Sequence, residues 1–329
     1  MPKVLVTPPA LYHRPGTYRD ILERAGLEVV YPPAGVSVFE REGLKQALQG
    51  VDAVVASVEP YTPDVLQSST LKVIARMGVG YDAVNIAAAT ECGIAVTITP
   101  GTNEHSVAET TIALLTGVYR GLPWRHDAVR TGKWEKRKLP RLAGKTIGLV
   151  GLGRIGRATA WRCRGLGLKV IGYDPYPDHA WADANEVQLC SFDELLAQAD
   201  IVSLHLPATP ETANLINRQT LAKMKRGSVL INTARGALVD EEALIEALRS
   251  GHLMGAGLDV FQVEPLPTDS PLTQMDNVLL MPHLAGLDEE SEEAMGVMAA
   301  QCVADLYTGT WPEQCVVNPA VRERWSWPR

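Results

Sequence analysis

The sequence predicts an α/β protein in which one chain forms two doubly wound parallel sheets. Short β-branched runs alternate with amphipathic helical stretches along almost the whole chain, as in parallel sheets covered by helices. The chain has 329 residues, enough for two domains of about 100–200 residues each. A polar stretch at 130–145 separates a first alternating series from a second. Two sheets fit this arrangement better than one very wide sheet.

The first series contains five predicted strands, at 3–8, 27–31, 53–58, 71–77 and 94–99. Pro63, which follows Thr62, indicates a helix start between two of them. A stretch with apolar residues at helical spacing begins near residue 103 and runs to about 121. We expect this long helix to connect the first series to the second.

The second series contains seven predicted strands, at 145–150, 168–174, 187–190, 201–207, 227–234, 256–261 and 277–282. A final helical pattern covers 288–308. We expect this helix to return to the first domain, which would make that domain discontinuous.

Composition and charge exclude several classes of protein. The net charge is −7 and there is no basic run, so nucleic acid is not expected as a partner. The five cysteines are scattered without a CxxC pair, so we expect no disulfide framework, no metal site and a reducing compartment. No signal peptide and no apolar run of about 18 residues is present, which predicts a soluble cytoplasmic protein.

The segment KTIGLVGLGRIGRATAWRCRGLGLKVIGYD carries the clearest motif. Gly151, Gly153 and Gly156 directly follow a predicted strand and open a helix, and the next strand ends at Asp174. GxGxxG alone is a weak signal, but this βαβ context is the one that dinucleotide binding requires. The glycines allow a tight turn, close approach of a pyrophosphate and close packing of helix on strand. Asp174 would accept hydrogen bonds from ribose hydroxyls and repel a 2′-phosphate, so the segment predicts NAD.

Three side chains that can bind an anion or transfer a proton follow strands of the second series. Arg235 comes after VLINTA, Glu264 after LDVFQV and His283 after NVLLMP. Ligands of open α/β sheets bind beyond the carboxyl ends of the strands. Taken singly, each residue has a structural explanation, for example an ion pair of Arg235 with Asp240 or Glu241. Together, beside a dinucleotide motif, they favour catalysis.

Hydride transfer to a carbonyl needs a proton donor at the carbonyl oxygen, and a histidine side chain suits that role near neutral pH. Arginine binds a carboxylate through its planar fork, which lysine does not reproduce. We therefore predict that Arg235 binds the substrate carboxylate, that Glu264 orients His283, and that His283 transfers the proton.

Several segments in the right order resemble the D-isomer-specific 2-hydroxyacid dehydrogenases over essentially the whole chain. They are ARMGVGYDAVNIAAATECGIAVTITPGTNEHSVAE, VGLGRIGRATAWRCRGLGLKVIGYDP, INTARGALVDEEALIEAL, GLDVFQVEP and MPHLAG. The resemblance implies that Arg235, Glu264 and His283 form the catalytic set. It also implies a flavodoxin-like substrate domain at 1–100 and 287–329, and a Rossmann NAD-binding domain at 101–286.

The resemblance further implies contacts with ligands and with a second subunit. NAD contacts are expected at Arg154, Ile155, Asp174, Leu206, Pro207, Thr233, Ala234, Asp259 and Gly286, and substrate contacts at Arg76, Gly78, Val79, Asn103 and Arg235. A homodimer is expected through the helix and arm after residue 103, where Trp124 and Trp134 lie.

The resemblance leaves the substrate open. TGKWEKRK and GLGRIGR are similar to segments of the D-3-phosphoglycerate dehydrogenases, without their regulatory domain. Arg76 matches one phosphate-binding position of that group, but Ala56 stands where a second arginine is expected and Glu59 adds a negative charge. We therefore favour an unphosphorylated small acid such as glyoxylate or hydroxypyruvate, with 3-phosphoglycerate as the alternative.

Two other groups of proteins with this fold are alternatives. Formate dehydrogenases carry glutamine at the position of Glu264, so this residue argues against formate as the substrate. NAD(H)-sensing corepressors keep a similar residue set, but they carry long flanking segments that this sequence does not show. The family resemblance therefore favours an enzyme that acts on a 2-hydroxy acid.

Overall fold

The computed structural model describes residues 1–134 and 136–327. The chain divides into two compact units. Unit 1 comprises Met1–Asn103 with Asp288–Arg329, and unit 2 comprises Glu104–Leu287. Each unit is built on its own sheet, of five strands in unit 1 and seven in unit 2.

The first part of unit 1 forms a parallel five-stranded sheet with helices on it. The strands are β1 (Lys3–Val6), β2 (Glu28–Val30), β3 (Ala53–Ala56), β4 (Val73–Arg76) and β5 (Ala95–Thr97), and the helices are α1 (Thr17–Arg24), α2 (Arg41–Ala47), α3 (Pro63–Gln67) and α4 (Ile86–Glu91). The strand order is β2-β1-β3-β4-β5, and all four pairings are parallel. This is the flavodoxin-like order of a doubly wound sheet.

Unit 2 contains the longer alternating series. Its elements are α5 (Glu104–Arg120), α6 (Leu122–Arg130), β6 (Thr146–Val150), α7 (Arg154–Gly165), β7 (Lys169–Tyr173), α8 (His179–Ala184), β8 (Gln188–Leu189), α9 (Phe192–Gln198), β9 (Ile201–Leu204), α10 (Arg218–Lys223), β10 (Ser228–Asn232), α11 (Glu241–Arg249), β11 (Leu253–Leu258) and β12 (Val278–Leu280). The strand order is β12-β11-β10-β9-β6-β7-β8. Counted from β6, this is the Rossmann order with one added strand. The strand order reverses between β6 and β9, where a dinucleotide binds in this fold.

The chain returns to unit 1 through α12 (Glu289–Thr308). Asp288 begins this helix with a capping box in which its side chain accepts from the Ser291 amide. Met295, Ala299 and Val303 then pack into the same hydrophobic core as residues of β1. The return helix therefore completes one face of the unit 1 sheet.

The tryptophans near the C-terminus belong to the packing of unit 1. Trp325 lies edge-to-face against Trp311 and against Trp327, and its indole N–H donates to the carbonyl of Lys72 at 2.9 Å. Trp327 contacts Tyr307 on α12. The sequence offered no role for these side chains, and the structure shows that they cover the core. The last two residues, 328–329, lie outside the described part.

The predicted fold class is confirmed, and each predicted strand overlaps an observed one. The largest shift is in β11, which the sequence placed at 256–261. The observed strand begins at Leu253 and ends at Leu258, because its glycines weaken the strand signal while Val260 and Phe261 strengthen it further on. Within the described residues, no helix combines the length and the apolar character that crossing a membrane requires.

Candidate active site

The turn after β6 contains two positions at which the backbone conformation or close packing permits only glycine. Gly151 has φ +103°, and a Cβ there would lie 2.7 Å from the carbonyl oxygen of His205. A Cβ on Gly156 would lie 2.1 Å from the carbonyl oxygen of Gly151. The first glycine makes the tight turn possible, and the second allows α7 to pack closely against it.

Gly153 lies between these two glycines and has no such requirement. Any residue can adopt its φ of −69°, and Gly153 forms the N-cap of α7. A Cβ on Gly153 would meet nothing within 4 Å. Glycine at this position is explained by a ligand that approaches the backbone, and the amides at the start of a helix bind phosphate oxygens. The loop therefore fits a dinucleotide.

Asp174 follows β7 and is tied to the glycine turn. One carboxylate oxygen accepts from the Leu152 amide at 2.7 Å, and the other accepts from the Tyr176 amide at 2.8 Å. The side chain is half-buried, and each oxygen has a second lone pair for a further donor. Asp174 is thus held beside the turn with capacity to accept from ribose hydroxyls.

The other residues predicted to contact NAD lie in unit 2. Arg154 and Ile155 form the first turn of α7, and the rest follow its strands: Leu206 and Pro207 after β9, Thr233 and Ala234 after β10, Asp259 after β11, and Gly286 after β12. The Thr233 hydroxyl is bonded to that of Thr111 at 2.9 Å. The individual contacts stay predictions.

The structure brings Glu264 and His283 together. Nδ1 of His283 lies 2.6 Å from Oε2 of Glu264, and the two side chains are 45% and 34% exposed. The second Glu264 oxygen accepts from the Phe261 amide at 2.9 Å. With Nδ1 engaged by the carboxylate, Nε2 is the ring nitrogen that can exchange a proton with a ligand.

The backbone around His283 is fixed by Asp259, which is 1% exposed. Its carbonyl accepts from the His283 amide at 2.8 Å. Its carboxylate accepts from the amides of Leu284 at 2.9 Å and Ala285 at 2.8 Å. Burial raises the pKa of the Asp259 carboxyl, and these amide donors oppose that rise. The three bonds hold His283 at φ +55°, which is uncommon for a residue with a side chain.

Arg235 is half-buried just after β10, and Asn232 determines the course of its backbone. The Asn232 side chain donates to the Arg235 carbonyl at 2.8 Å and accepts from the Ala234 amide at 3.0 Å. The Asn232 carbonyl accepts from the Asp259 amide at 3.0 Å. Asn232 thus connects the loop that carries Arg235 to the residue that fixes the loop of His283.

The sequence analysis did not identify Asn232, although the sequence contains a signal for this residue. An amide side chain that ends the apolar run VLIN must be hydrogen-bonded when it is buried. Of the two carboxylates near Arg235 in sequence, Asp240 caps α11 through the Ala243 amide and Glu241 accepts from the Gln262 amide at 2.5 Å.

Gly236 provides a test of how tightly this region is packed. A Cβ there would lie 1.9 Å from the carbonyl oxygen of Phe261, in the segment that leads to Glu264. We expect Gly236→Ala to destabilise the protein by about 1–3 kcal/mol, as overpacking does, and to lower kcat. Gly153→Ala is the matched control, and we expect it to keep the melting temperature and weaken NADH binding. Thermal melts and NADH titrations measure both, and equal stability of the two variants would contradict this description.

The residues of unit 1 that were predicted to contact substrate gather after β4 and β5. Arg76 ends β4, and Gly78, with φ +139°, would place a Cβ 2.6 Å from the Arg76 guanidinium. The Gly78 amide donates to the Thr99 hydroxyl at 3.0 Å, so a carboxylate would have to displace Thr99 to use that amide. Val79 is half-buried and Asn103 is 8% exposed. Their contacts with substrate stay predictions.

Comparison with known proteins places this geometry in a family. Residues 112–285 match the family described as D-isomer specific 2-hydroxyacid dehydrogenase, NAD binding domain. The chain belongs to this family. The predicted membership is confirmed, and NAD is the cofactor that this domain binds.

Three relatives show the range of the similarity. A D-3-phosphoglycerate dehydrogenase of Archaeoglobus fulgidus is 39% identical over 92% of this chain and 57% of its own length. A glyoxylate reductase of Thermofilum pendens is 40% identical over 94% of this chain and 97% of its own length. The crystal structure of a D-lactate dehydrogenase of Aquifex aeolicus with NAD and lactic acid has 29% identity and a TM-score of 0.83, over 96% of this chain and 99% of that one. The chain thus spans little more than half of the first relative.

Proposed function

We propose that this protein is an NAD-dependent oxidoreductase that interconverts a D-2-hydroxy acid and its 2-oxo acid. The observation that carries the proposal is the bonded pair of His283 and Glu264 in a unit that belongs to an NAD-binding domain. Arg235 supplies the third element, a guanidinium whose backbone is connected to the same scaffold through Asn232. The set contains the two functions that reduction of a 2-oxo acid needs from a protein, a carboxylate ligand and a proton donor.

Each residue has a distinct role in the proposed reaction. The bound cofactor would supply the hydride as NADH in the reduction and would take it up as NAD⁺ in the oxidation. Arg235 binds the substrate carboxylate through two parallel hydrogen bonds and polarises the neighbouring carbonyl. His283 donates a proton from Nε2 during reduction and accepts it during oxidation. Glu264 holds Nδ1 and keeps the ring in one orientation.

For the substrate we propose an unphosphorylated small acid, with glyoxylate and hydroxypyruvate as the first candidates and 3-phosphoglycerate as the alternative. The glyoxylate reductase of Thermofilum pendens matches this chain over nearly its full length, which supports the choice. Ala56 at the end of β3 is fully buried and offers no side-chain donor to a phosphate.

The test is NADH oxidation by the purified protein with a panel of 2-oxo acids. The panel contains glyoxylate, hydroxypyruvate, phosphohydroxypyruvate, pyruvate and 2-oxoglutarate. We expect turnover with at least one of the first two. Absence of NADH oxidation with every acid would contradict the proposed function.

Asp174 is expected to make NAD strongly preferred over NADP. Its carboxylate repels a 2′-phosphate and accepts from ribose hydroxyls. Asp174→Ala should therefore narrow the difference in kcat/KM between NADH and NADPH, mainly by weakening NADH, because the bond to the Leu152 amide is lost as well. Steady-state kinetics with both cofactors measure this, and comparable kcat/KM values in the unaltered enzyme would show that the assignment is wrong.

We also propose a homodimer through α5, α6 and the arm that follows. Large apolar side chains on α6, on the arm and on α7, which packs against α5, are well exposed, with Val129 at 60%, Trp134 at 78% and Trp161 at 69%. Such a concentration indicates a surface that another protein covers. Sedimentation equilibrium is expected to give twice the chain mass, and a monomer would contradict the proposal.

A cytoplasmic location also stays a prediction, which fractionation of the source cells checks.

A further inference from the structure

Both backbone polar groups of Leu152, in the middle of the glycine turn, are bonded to charged side chains. The Leu152 amide donates to the Asp174 carboxylate at 2.7 Å. The Leu152 carbonyl accepts from Nε of Arg157 on α7 at 2.9 Å. Leu152 lies between Gly151 and Gly153, so these two bonds restrict backbone rotation in the turn that fits a dinucleotide.

The guanidinium of Arg157 is also bonded to the start of α8. Its Nη2 donates to one carboxylate oxygen of Asp178 at 3.0 Å, and its central carbon lies 4.7 Å from the centroid of the Trp181 ring. The other Asp178 oxygen accepts from the Trp181 amide at 3.0 Å and caps α8. The Trp181 amide and the Arg157 guanidinium lower the pKa of the Asp178 carboxyl. Arg157 is therefore held at Nη2 while its Nε–H is bonded to Leu152.

Arg157 and Asp174 connect the glycine turn to one loop, the segment that follows β7. Asp174, at the start of this loop, is bonded to the turn directly. Asp178, at the end of the loop, is bonded to it through Arg157. In this fold the acidic residue after the second strand binds the ribose, and the glycine turn approaches the pyrophosphate. The two bonds to Leu152 therefore join the two parts of the site that bind the adenosine half of NAD.

A second arginine of α7 shows what packing of this helix against α8 requires. Arg164 lies about two turns after Arg157, on the same face of the helix. Arg164 donates to the Asn185 carbonyl at 2.8 Å and pairs with Glu186, at the other end of α8. The Arg157 and Arg164 side chains are 37% and 39% exposed. Both arginines thus connect α7 to α8, and the bond of Arg157 to the glycine turn is an addition that helix packing does not explain.

We propose that Arg157 is a positioning residue of the NAD site, which fixes the Leu152 carbonyl and thereby holds the glycine turn in the conformation that binds the dinucleotide. Arg157 acts through Leu152 and needs no contact with the cofactor. A turn that is already fixed loses less conformational freedom when a ligand binds, which strengthens binding. The inference concerns the cofactor alone, so it applies to any acid substrate.

The experiment replaces Arg157 with lysine and measures the dissociation constant of NADH by fluorescence titration without an acid substrate. Lysine keeps the charge and is a good helix former, but its ammonium group does not reproduce the planar fork that bonds Leu152 and Asp178 together. We expect the dissociation constant to rise about tenfold, the lower end for a lost charge-assisted bond at a partly exposed site. The KM for NADH should rise with it, while kcat at saturating NADH stays near the wild-type value.

Arg164→Lys is the matched control, because it makes the same substitution on the same helix at the same exposure. We expect similar changes in melting temperature for the two variants, but an unchanged dissociation constant of NADH for Arg164→Lys. Equal dissociation constants in the two variants would show that Arg157 only packs α7 against α8, which overturns the proposal. If Arg157→Lys did not fold, Asp178→Asn decides, since asparagine keeps the cap of α8 and removes the charge that holds Nη2. A higher dissociation constant of Asp178→Asn supports the proposal, and an unchanged one overturns it.

A double variant tests whether Arg157 acts through Leu152. Asp174→Ala removes the bond to the Leu152 amide, so the turn is already less restricted in that variant. Adding Arg157→Lys to Asp174→Ala should then raise the dissociation constant of NADH by clearly less than it does in the unaltered protein, because the two effects are coupled. Effects that multiply in full would show that Arg157 acts independently of the turn, and would overturn the proposal.

Discussion

Replacing His283 with alanine is expected to lower kcat by roughly 10²–10⁴ while NADH still binds, which is the usual effect of removing a positioned acid–base group. The imidazole is bonded at Nδ1 to Glu264, and its backbone is fixed by Asp259, so the ring is held in one position from which Nε2 can exchange the proton. Steady-state kinetics give kcat, and fluorescence titration gives the dissociation constant of NADH.

His179→Ala is the control for this substitution, because His179 is exposed on α8 and has no proposed role. It should retain full activity. Near-normal turnover of His283→Ala would mean that another group transfers the proton.

Replacing Arg235 with lysine is expected to lower kcat/KM by about a hundredfold, although the charge is kept. A guanidinium forms two parallel hydrogen bonds to a carboxylate, whereas an ammonium group forms a point contact. Charge-assisted bonds contribute about 1.5–3 kcal/mol each, which corresponds to roughly a tenfold to a hundredfold effect per bond. The Arg235 backbone is held by Asn232, so the loop itself should survive the substitution.

For Arg235→Lys, we expect a lower kcat/KM for the acid substrate and an unchanged affinity for NADH. Arg249→Lys, at the exposed end of α11, is the matched control and should behave as the unaltered enzyme. If Arg235→Lys retained the wild-type kcat/KM, Arg235 would not be the carboxylate ligand.

Much of this site could be predicted because its residues follow strands. In a parallel sheet all carboxyl ends lie at one edge, so Arg235, Glu264 and His283 were expected to share that edge before any distance was known. The glycine turn was equally visible, because Gly151 and Gly156 are needed by the backbone itself. Patterns that arise from chain geometry are recorded in the sequence.

The scaffold behind the site was not predictable in the same way. The contact of Asp259 with NAD stays a prediction, but its bonds to the amides of Leu284 and Ala285 were not expected from the sequence. Glu59 was expected as an extra charge near the substrate, but it is fully buried. Such partnerships depend on how loops distant in sequence meet, which no spacing or periodicity encodes.

The stereochemistry of hydride transfer tests the central claim most directly. The enzyme would be given NADH deuterated at the transferable position of C4, together with hydroxypyruvate, and the glycerate formed would be analysed by mass spectrometry and chiral chromatography. The account predicts D-glycerate with one deuterium at C2. L-glycerate, a racemic product or glycerate without deuterium at C2 would contradict it.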